Sequence, residues 1–181
     1  MMNRKKIIVL LLLLVFVAAA WLFVRTSAKI TQKQQLEASI QTLPNISVLG
    51  LDSTQINIKQ SFSNSPIGAA AVAGRGAVFY FDPDCEHCQA EAQALSRQVK
   101  AFENTKLWWL SVASLAKLRA FERKYALQKI FGQNLKIAQL SNEQADKVFG
   151  FRVVPTILIY DSQQKLVKKY VGQTKIETLI K

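Results

Sequence analysis

Eighteen consecutive residues without a charge, Ile7 to Val24 (IIVLLLLLVFVAAAWLFV), divide this chain before any other feature is considered. As a helix the run would span roughly 27 Å at 1.5 Å per residue, close to the ~30 Å hydrocarbon core of a bilayer. It is apolar on every face, which does not suit the one-sided burial of a helix on a soluble core. Arg4, Lys5 and Lys6 precede it, Arg25 follows it, and no acidic residue occurs before Glu37. Under the positive-inside rule the basic end stays in the cytoplasm and the rest of the chain is exported. A cleaved signal peptide is the rival reading, with Ala18-Ala19-Ala20 as its small-residue region. The run continues through Trp21, Leu22, Phe23 and Val24, which favours a retained anchor. The division expected is a transmembrane anchor over 1–25, a polar stalk over 26–44 closed by Pro44, and a globular domain over 45–181. The expected location is the cell inner membrane, single-pass, with the C-terminal domain on the periplasmic or extracytoplasmic side.

Composition narrows what the exported part can be. The 181 residues include 24 basic and 12 acidic side chains; the first 25 residues hold four of the basic ones, leaving a net +8 beyond them. Half the residues are hydrophobic and only 20% are charged, which excludes intrinsic disorder. The basic residues, such as Lys117, Arg119, Arg123, Lys124, Lys165, Lys168 and Lys169, are scattered. They read as a solvated surface beside anionic headgroups rather than a nucleic-acid interface. Two Cys and one His supply neither a four-ligand Cys/His zinc site nor a disulfide-rich scaffold.

The pattern beyond Pro44 alternates strand and helix. Residues 46–58 (ISVLGLDSTQINI) predict a β-hairpin about Asp52-Ser53. Residues 61–76 read as a loop, and its GRG at 74–76 is too short for a phosphate loop. Ala77 to Phe81 is a buried-strand run that stops at Asp82-Pro83-Asp84. Cys88, Ala92, Leu95, Val99 and Phe102 follow at helical spacing, predicting a helix over 85–103 with Asp84 as its N-cap. Lys106 to Val112 predicts a strand, and Ser114 caps a helix through about Leu127 with Leu115, Leu118 and Phe121 inward. Leu135 to Leu140 predicts another strand, and Ser141 with Gln144 forms a capping-box pattern for a helix ending at Gly150. Strands over 156–160 and 166–171, joined at Asp161-Ser162, and a short helix opened by Thr174 complete the chain. This order describes a mixed sheet with helices on both faces.

Chemistry concentrates in Cys85-Glu86-His87-Cys88, the only cysteine pair, at a strand-to-helix junction. A helix N-terminus presents free N–H groups and partial positive charge, both of which stabilise a thiolate at Cys85. Cys88 lies one turn deeper, placed to attack a mixed disulfide formed at Cys85. A c-type haem site would need His where Gln89 stands, and a zinc ribbon would need a second Cys pair. Copper held by Cys85, Cys88 and His87, in a carrier or non-catalytic docking module, is the alternative from another class. A purely structural disulfide would gain little from so short a loop.

The FYFDPDCEHC segment after a strand, Val153-Val154-Pro155-Thr156 before the penultimate strand, and the leading hairpin together resemble the thioredoxin superfamily. The resemblance covers about residues 44–181. More closely, the chain resembles membrane-anchored TlpA/ResA-type thiol–disulfide oxidoreductases. That resemblance implies a thioredoxin-like three-layer α/β/α fold with a mixed central sheet, plus the N-terminal transmembrane helix. It implies a cis proline at Pro155 facing the CxxC, with the backbone at Val154-Pro155 pairing with bound substrate; from the residues alone, Pro155 equally fits a trans proline starting a strand. It implies that Glu91, three positions after Cys88, accepts the proton of the buried thiol; a solvated Glu on the helix flank is the plainer reading. His87 stabilises the Cys85 thiolate by charge and hydrogen bonding, while Asp82, Asp84 and Glu86 oppose it. The chain departs from the family at Asp84, where a Trp usually precedes the first Cys, and Trp108 and Trp109 read as core. The implied partners are exported protein disulfides or dithiols and a membrane electron donor, with no cofactor and no metal, because the cysteine pair carries the electrons. Peroxide reduction is a second enzyme reading, but Asp82 stands where the Thr of that chemistry belongs.

Overall fold

A computed structural model describes residues 4–63 and 75–179, with side chains from Leu13 onward. The chain separates into two units, residues 1–38 and 39–181.

The first unit is helical. Helix α1 runs from Arg4 to Ser39 without a break, so residues 26–39 continue the helix that begins in the apolar run. Leu13–Ser39 is the one helix among the described residues long and apolar enough to cross a membrane, with a mean hydropathy of 1.7 in its most apolar window. A signal sequence meets the same criterion. Its large side chains stand open, Phe16 and Phe23 each being more than 70% exposed. Thr26, Ser27 and Thr31 return their hydroxyls to carbonyls one turn back, so the polar part adds no competing backbone structure.

The second unit is a seven-stranded mixed sheet. The strands are β1 (Ser47–Gly50), β2 (Gln55–Asn57), β3 (Arg75–Tyr80), β4 (Thr105–Ser111), β5 (Leu135–Gln139), β6 (Thr156–Tyr160) and β7 (Leu166–Val171). Their order is β2-β1-β5-β4-β3-β6-β7. The parallel centre is β3-β4-β5; β1 and β6 join it antiparallel, and β2 and β7 pair antiparallel with β1 and β6 at the two edges. The hairpin forms as the sequence pattern predicts, with Val48 opposite Ile56. Asp52 closes its turn by accepting from the backbone and hydroxyl of Thr54.

Period-two alternation in the central strands feeds two cores. Phe79, Trp109, Ile137 and Ile157 face one side, where α3 (Glu86–Ser96), α4 (Leu115–Tyr125) and α5 (Leu127–Phe131) cover them. Val78, Trp108, Ala138 and Leu158 face the other, covered by Ile40, Leu43, α2 (Ile58–Ser63) and the turn around Ala145. Trp108 and Trp109 are both core, as expected. A Cβ at Gly76 would lie 1.7 Å from the Phe62 ring, so a larger residue there requires that ring to move.

Several local expectations change. Asp84 is not the helix N-cap; Cys85 is, with extended backbone and its carbonyl accepting from Gln89 N–H at 3.0 Å. Asp82 folds the preceding turn instead, its Oδ1 accepting from Asp84 N–H. The helix predicted over 85–103 ends at Ser96, and a 3₁₀ turn at Val99–Phe102 follows. Bonds from Arg97 and Gln98 reach back three residues, tightening the chain so that Phe102 still enters the core. Ser114 caps α4 by accepting from Lys117 N–H. The Ser141/Gln144 box closes with both reciprocal bonds, but the turn it opens is π-helical over Gln144–Val148. The last turn begins at Ile176 rather than at Thr174, whose N–H donates to the Glu91 side chain. Most of the loop expected over 61–76 lies outside the described residues, as does Gly74 of the GRG.

Candidate active site

The parallel strands β3 and β4 and the antiparallel β6 meet at one end of the sheet. Tyr80, the last residue of β3, pairs with Thr156, the first of β6. The chain therefore leaves β3 into Phe81-Asp82-Pro83-Asp84-Cys85 at the same end where Val154-Pro155 enters β6. The Val154–Pro155 peptide bond is cis, as the resemblance implies. Pro155 is buried and its carbonyl accepts from Gly172 N–H at 2.8 Å, while the Val153 carbonyl accepts from the Thr156 hydroxyl. Val154 is half-buried and packs against the same core as Cys85.

Both cysteines are free thiols in different surroundings. Cys85 is partly exposed at the N-cap, and its side chain caps no backbone group. Cys88 is fully buried, and that burial drives its thiol well above the ordinary range. The Asp82 backbone N–H opposes the rise; the neighbouring Cys85 thiol and Glu91 add to it. A buried thiol of this kind does not attack until something removes its proton.

Glu91 stands beside it. The carboxyl is 3% exposed rather than solvated on the helix flank. Burial raises its pKa to about 7, held down in part by Thr174 N–H, which donates to Oε1 at 2.9 Å. A carboxyl poised near neutrality exchanges protons readily in either direction. His87 is exposed at the mouth of the site.

The surrounding frame contains residues that sequence pattern did not single out for the site. Gln89 donates its Nε2 to Pro83 O at 2.8 Å and accepts from Tyr125 and Lys124 of α4. Lys117 Nζ donates to Asp84 Oδ2 at 2.6 Å. Thr174 bonds Glu91 across 83 residues of chain. Apart from the Gln89–Pro83 bond, no local spacing signals these contacts, because they join elements 33 to 83 residues apart in the chain. Among the described residues, no group of three or more His, Cys, Asp or Glu side chains is arranged to hold a metal ion.

The seven-stranded mixed sheet with its covering helices agrees with comparison to known proteins. The model of the AhpC/TSA family matches residues 41–175, and the chain belongs to that family. No curated protein matches it. Among solved structures it is similar to DsbF of Mycobacterium tuberculosis, with a TM-score of 0.60, 14% identity, and coverage of 79% of this chain and 92% of that one. It is similar to a secreted disulfide oxidoreductase of Mycobacterium tuberculosis homologous to E. coli DsbE, with a TM-score of 0.54, 16% identity, and coverage of 72% and 85%. It is also similar to StoA of Bacillus subtilis, with a TM-score of 0.54, 13% identity, and coverage of 75% and 92%. At these identities the likeness establishes the fold, a thioredoxin-like α/β fold with a mixed sheet.

Proposed function

We propose that this protein is a membrane-anchored thiol–disulfide oxidoreductase that reduces disulfides of exported proteins through Cys85 and Cys88. The observation that carries this reading is the contrast between the partly exposed Cys85 and the buried Cys88 beside the buried Glu91 carboxyl. The Cys85 thiolate attacks one sulfur of a substrate disulfide; a new S–S bond forms, the substrate bond breaks, and the released substrate thiolate takes a proton. Glu91 accepts the Cys88 proton, and the Cys88 thiolate attacks Cys85 Sγ, releasing the second substrate thiol and closing the Cys85–Cys88 disulfide. Two electrons leave the pair, and a dithiol donor at the membrane restores them. Val154 and Pro155 form the ledge along which substrate backbone lies, and His87 favours the thiolate. The similarity to a secreted disulfide oxidoreductase supports this chemistry.

Residues 1–25 are the anchor in this reading and 26–38 the stalk; the exported domain begins at Ser39 rather than at 45, because Ile40 and Leu43 are buried in its core. The basic residues Arg4, Lys5 and Lys6 support a cytoplasmic N-terminus. Asp82 occupies the place of the Thr that peroxide reduction uses, and its Oδ1 is engaged by Asp84 N–H, which favours disulfides over peroxides as substrates.

The test is the reduction potential of the pair in the full chain, together with insulin reduction. A potential at or below about −270 mV with insulin turnover supports a reductant, whereas about −120 mV reverses the direction of flux. A pair that forms no reversible disulfide but retains stoichiometric copper through purification replaces this reading with a carrier. Carbonate extraction of membranes tests the anchor; release of the full-length chain into the soluble fraction overturns it.

A further inference from the structure

Cys85 sits in an acidic turn. Asp82 and Asp84 precede it and Glu86 follows, so three carboxylates lie within three residues of the sulfur. Negative charge there opposes a thiolate, and a less stable thiolate makes the dithiol a stronger reductant. The three carboxylates are not equivalent. Asp82 Oδ1 accepts from Asp84 N–H within the turn. Glu86 is in the first turn of α3, where the helix terminus favours an anion. Asp84, adjoining Cys85, has lost the capping role to Cys85 itself, and its carboxylate meets a cation from another element. Lys117, three residues after the Ser114 cap of α4, brings Nζ to 2.6 Å from Asp84 Oδ2.

We propose that Lys117 is a tuning residue of the cysteine pair: by pairing with Asp84 it offsets the negative charge next to Cys85 and holds the pair more oxidising than its acidic turn alone would make it. The inference rests on the disulfide-exchange reading above. The charged and titratable groups around Cys85 are Asp82, Asp84, Glu86 and His87 from its own segment, Lys117 from α4, and Cys88 with Glu91 on the buried side. Lys124, also on α4, is directed to Gln89. Lys117 is thus the cation that the second covering helix contributes to the turn. Both partners are more than half exposed, 58% and 69%, so solvent and salt screen the effect and it stays small.

The experiment equilibrates the full chain in detergent with glutathione. Disulfide plus two glutathione gives dithiol plus glutathione disulfide, a two-electron exchange in which each glutathione gives up one hydrogen. Lys117→Gln is expected to shift the equilibrium about two- to fivefold toward the disulfide, and Asp84→Asn by a similar factor toward the dithiol. Lys117→Arg restores the wild-type value, and 0.5 M salt shrinks both shifts. Opposite signs are the signature of charge. A purely structural bridge would move both variants the same way, since each breaks the same contact, and that result overturns the proposal. So does a wild-type pair that exchanges reversibly while neither variant shifts. A wild-type pair that forms no reversible disulfide overturns the exchange reading and this inference with it, a result distinct from a pair that exchanges but ignores Lys117.

Discussion

The rim of the site and the second turn of α3 are built from one continuous segment, yet they obey different electrostatics. Between Asp82 and His87, charges stand mostly in water, pair over short distances and are screened. Between Cys88 and Leu95, the inward side chains are buried to 3% exposure or less. There desolvation, not pairing, sets protonation: it drives the Cys88 thiol up and the Glu91 carboxyl to about 7. The difference teaches how two identical side chains three residues apart acquire different chemistry. One stands partly exposed at the helix start, and the other is buried beside a buried carboxyl.

The largest effects should separate the two cysteines. Cys85→Ser and Cys88→Ser should each lower steady-state insulin reduction by roughly 10³-fold or more. Only the Cys88→Ser protein should accumulate mixed disulfides, visible on non-reducing gels of whole cells. Adducts of equal yield on both variants would erase the assigned division of labour.

Packing comes next. Leu95→Ala in the buried turn should cost about 2–5 kcal/mol in urea unfolding. Glu86→Gln at the rim should stay within about 0.5 kcal/mol. Equal losses would mean that the two turns are not energetically distinct.

Glu91 sharpens the comparison through pH. Its folded pKa of about 7 lies above the ordinary 4.5. The folded state therefore holds the proton more tightly, a stability contribution present below pH 4.5 and lost as pH rises through 7. Glu91→Gln, which never ionises, should match wild type at low pH and exceed it by about 3 kcal/mol at pH 8. Closure of the dithiol to the disulfide should slow by about 10²-fold in the same variant and lose its inflection near pH 7. A variant that is no more stable at pH 8 than at pH 4 relative to wild type would put Glu91 in water.

The smallest effect belongs to the rim. His87→Ala should shift the glutathione equilibrium only a few-fold toward the disulfide, about 30 mV or less. A shift of 100 mV would mean that an exposed rim residue controls the pair as strongly as a buried one.

How much of this was legible in sequence follows from the range of the forces involved. Ser114, the Ser141/Gln144 box and the Asp52 turn act over two to three residues, so their bonds could be read from spacing and appear in the structure. The central strands were legible because alternating apolar residues feed two buried faces. The Asp84 cap was misplaced because Asp82, Asp84 and Cys85 compete within one turn, and Asp82 takes the Asp84 N–H. The π-helical geometry after Ser141 has no signature in a capping pattern.

The amino-acid order alone sets an apolar helix ahead of a single α/β unit and puts both cysteines at a strand-to-helix junction. These are consequences of composition, periodicity and covalent neighbourhood. Folding in three dimensions is what buries Glu91 rather than leaving it on the flank, brings Thr174 to donate to it, and sets Lys117 against Asp84. Those facts depend on strand order and on which helix covers which face, and burial and charge pairing act through space between residues the chain alone leaves 33 to 83 positions apart.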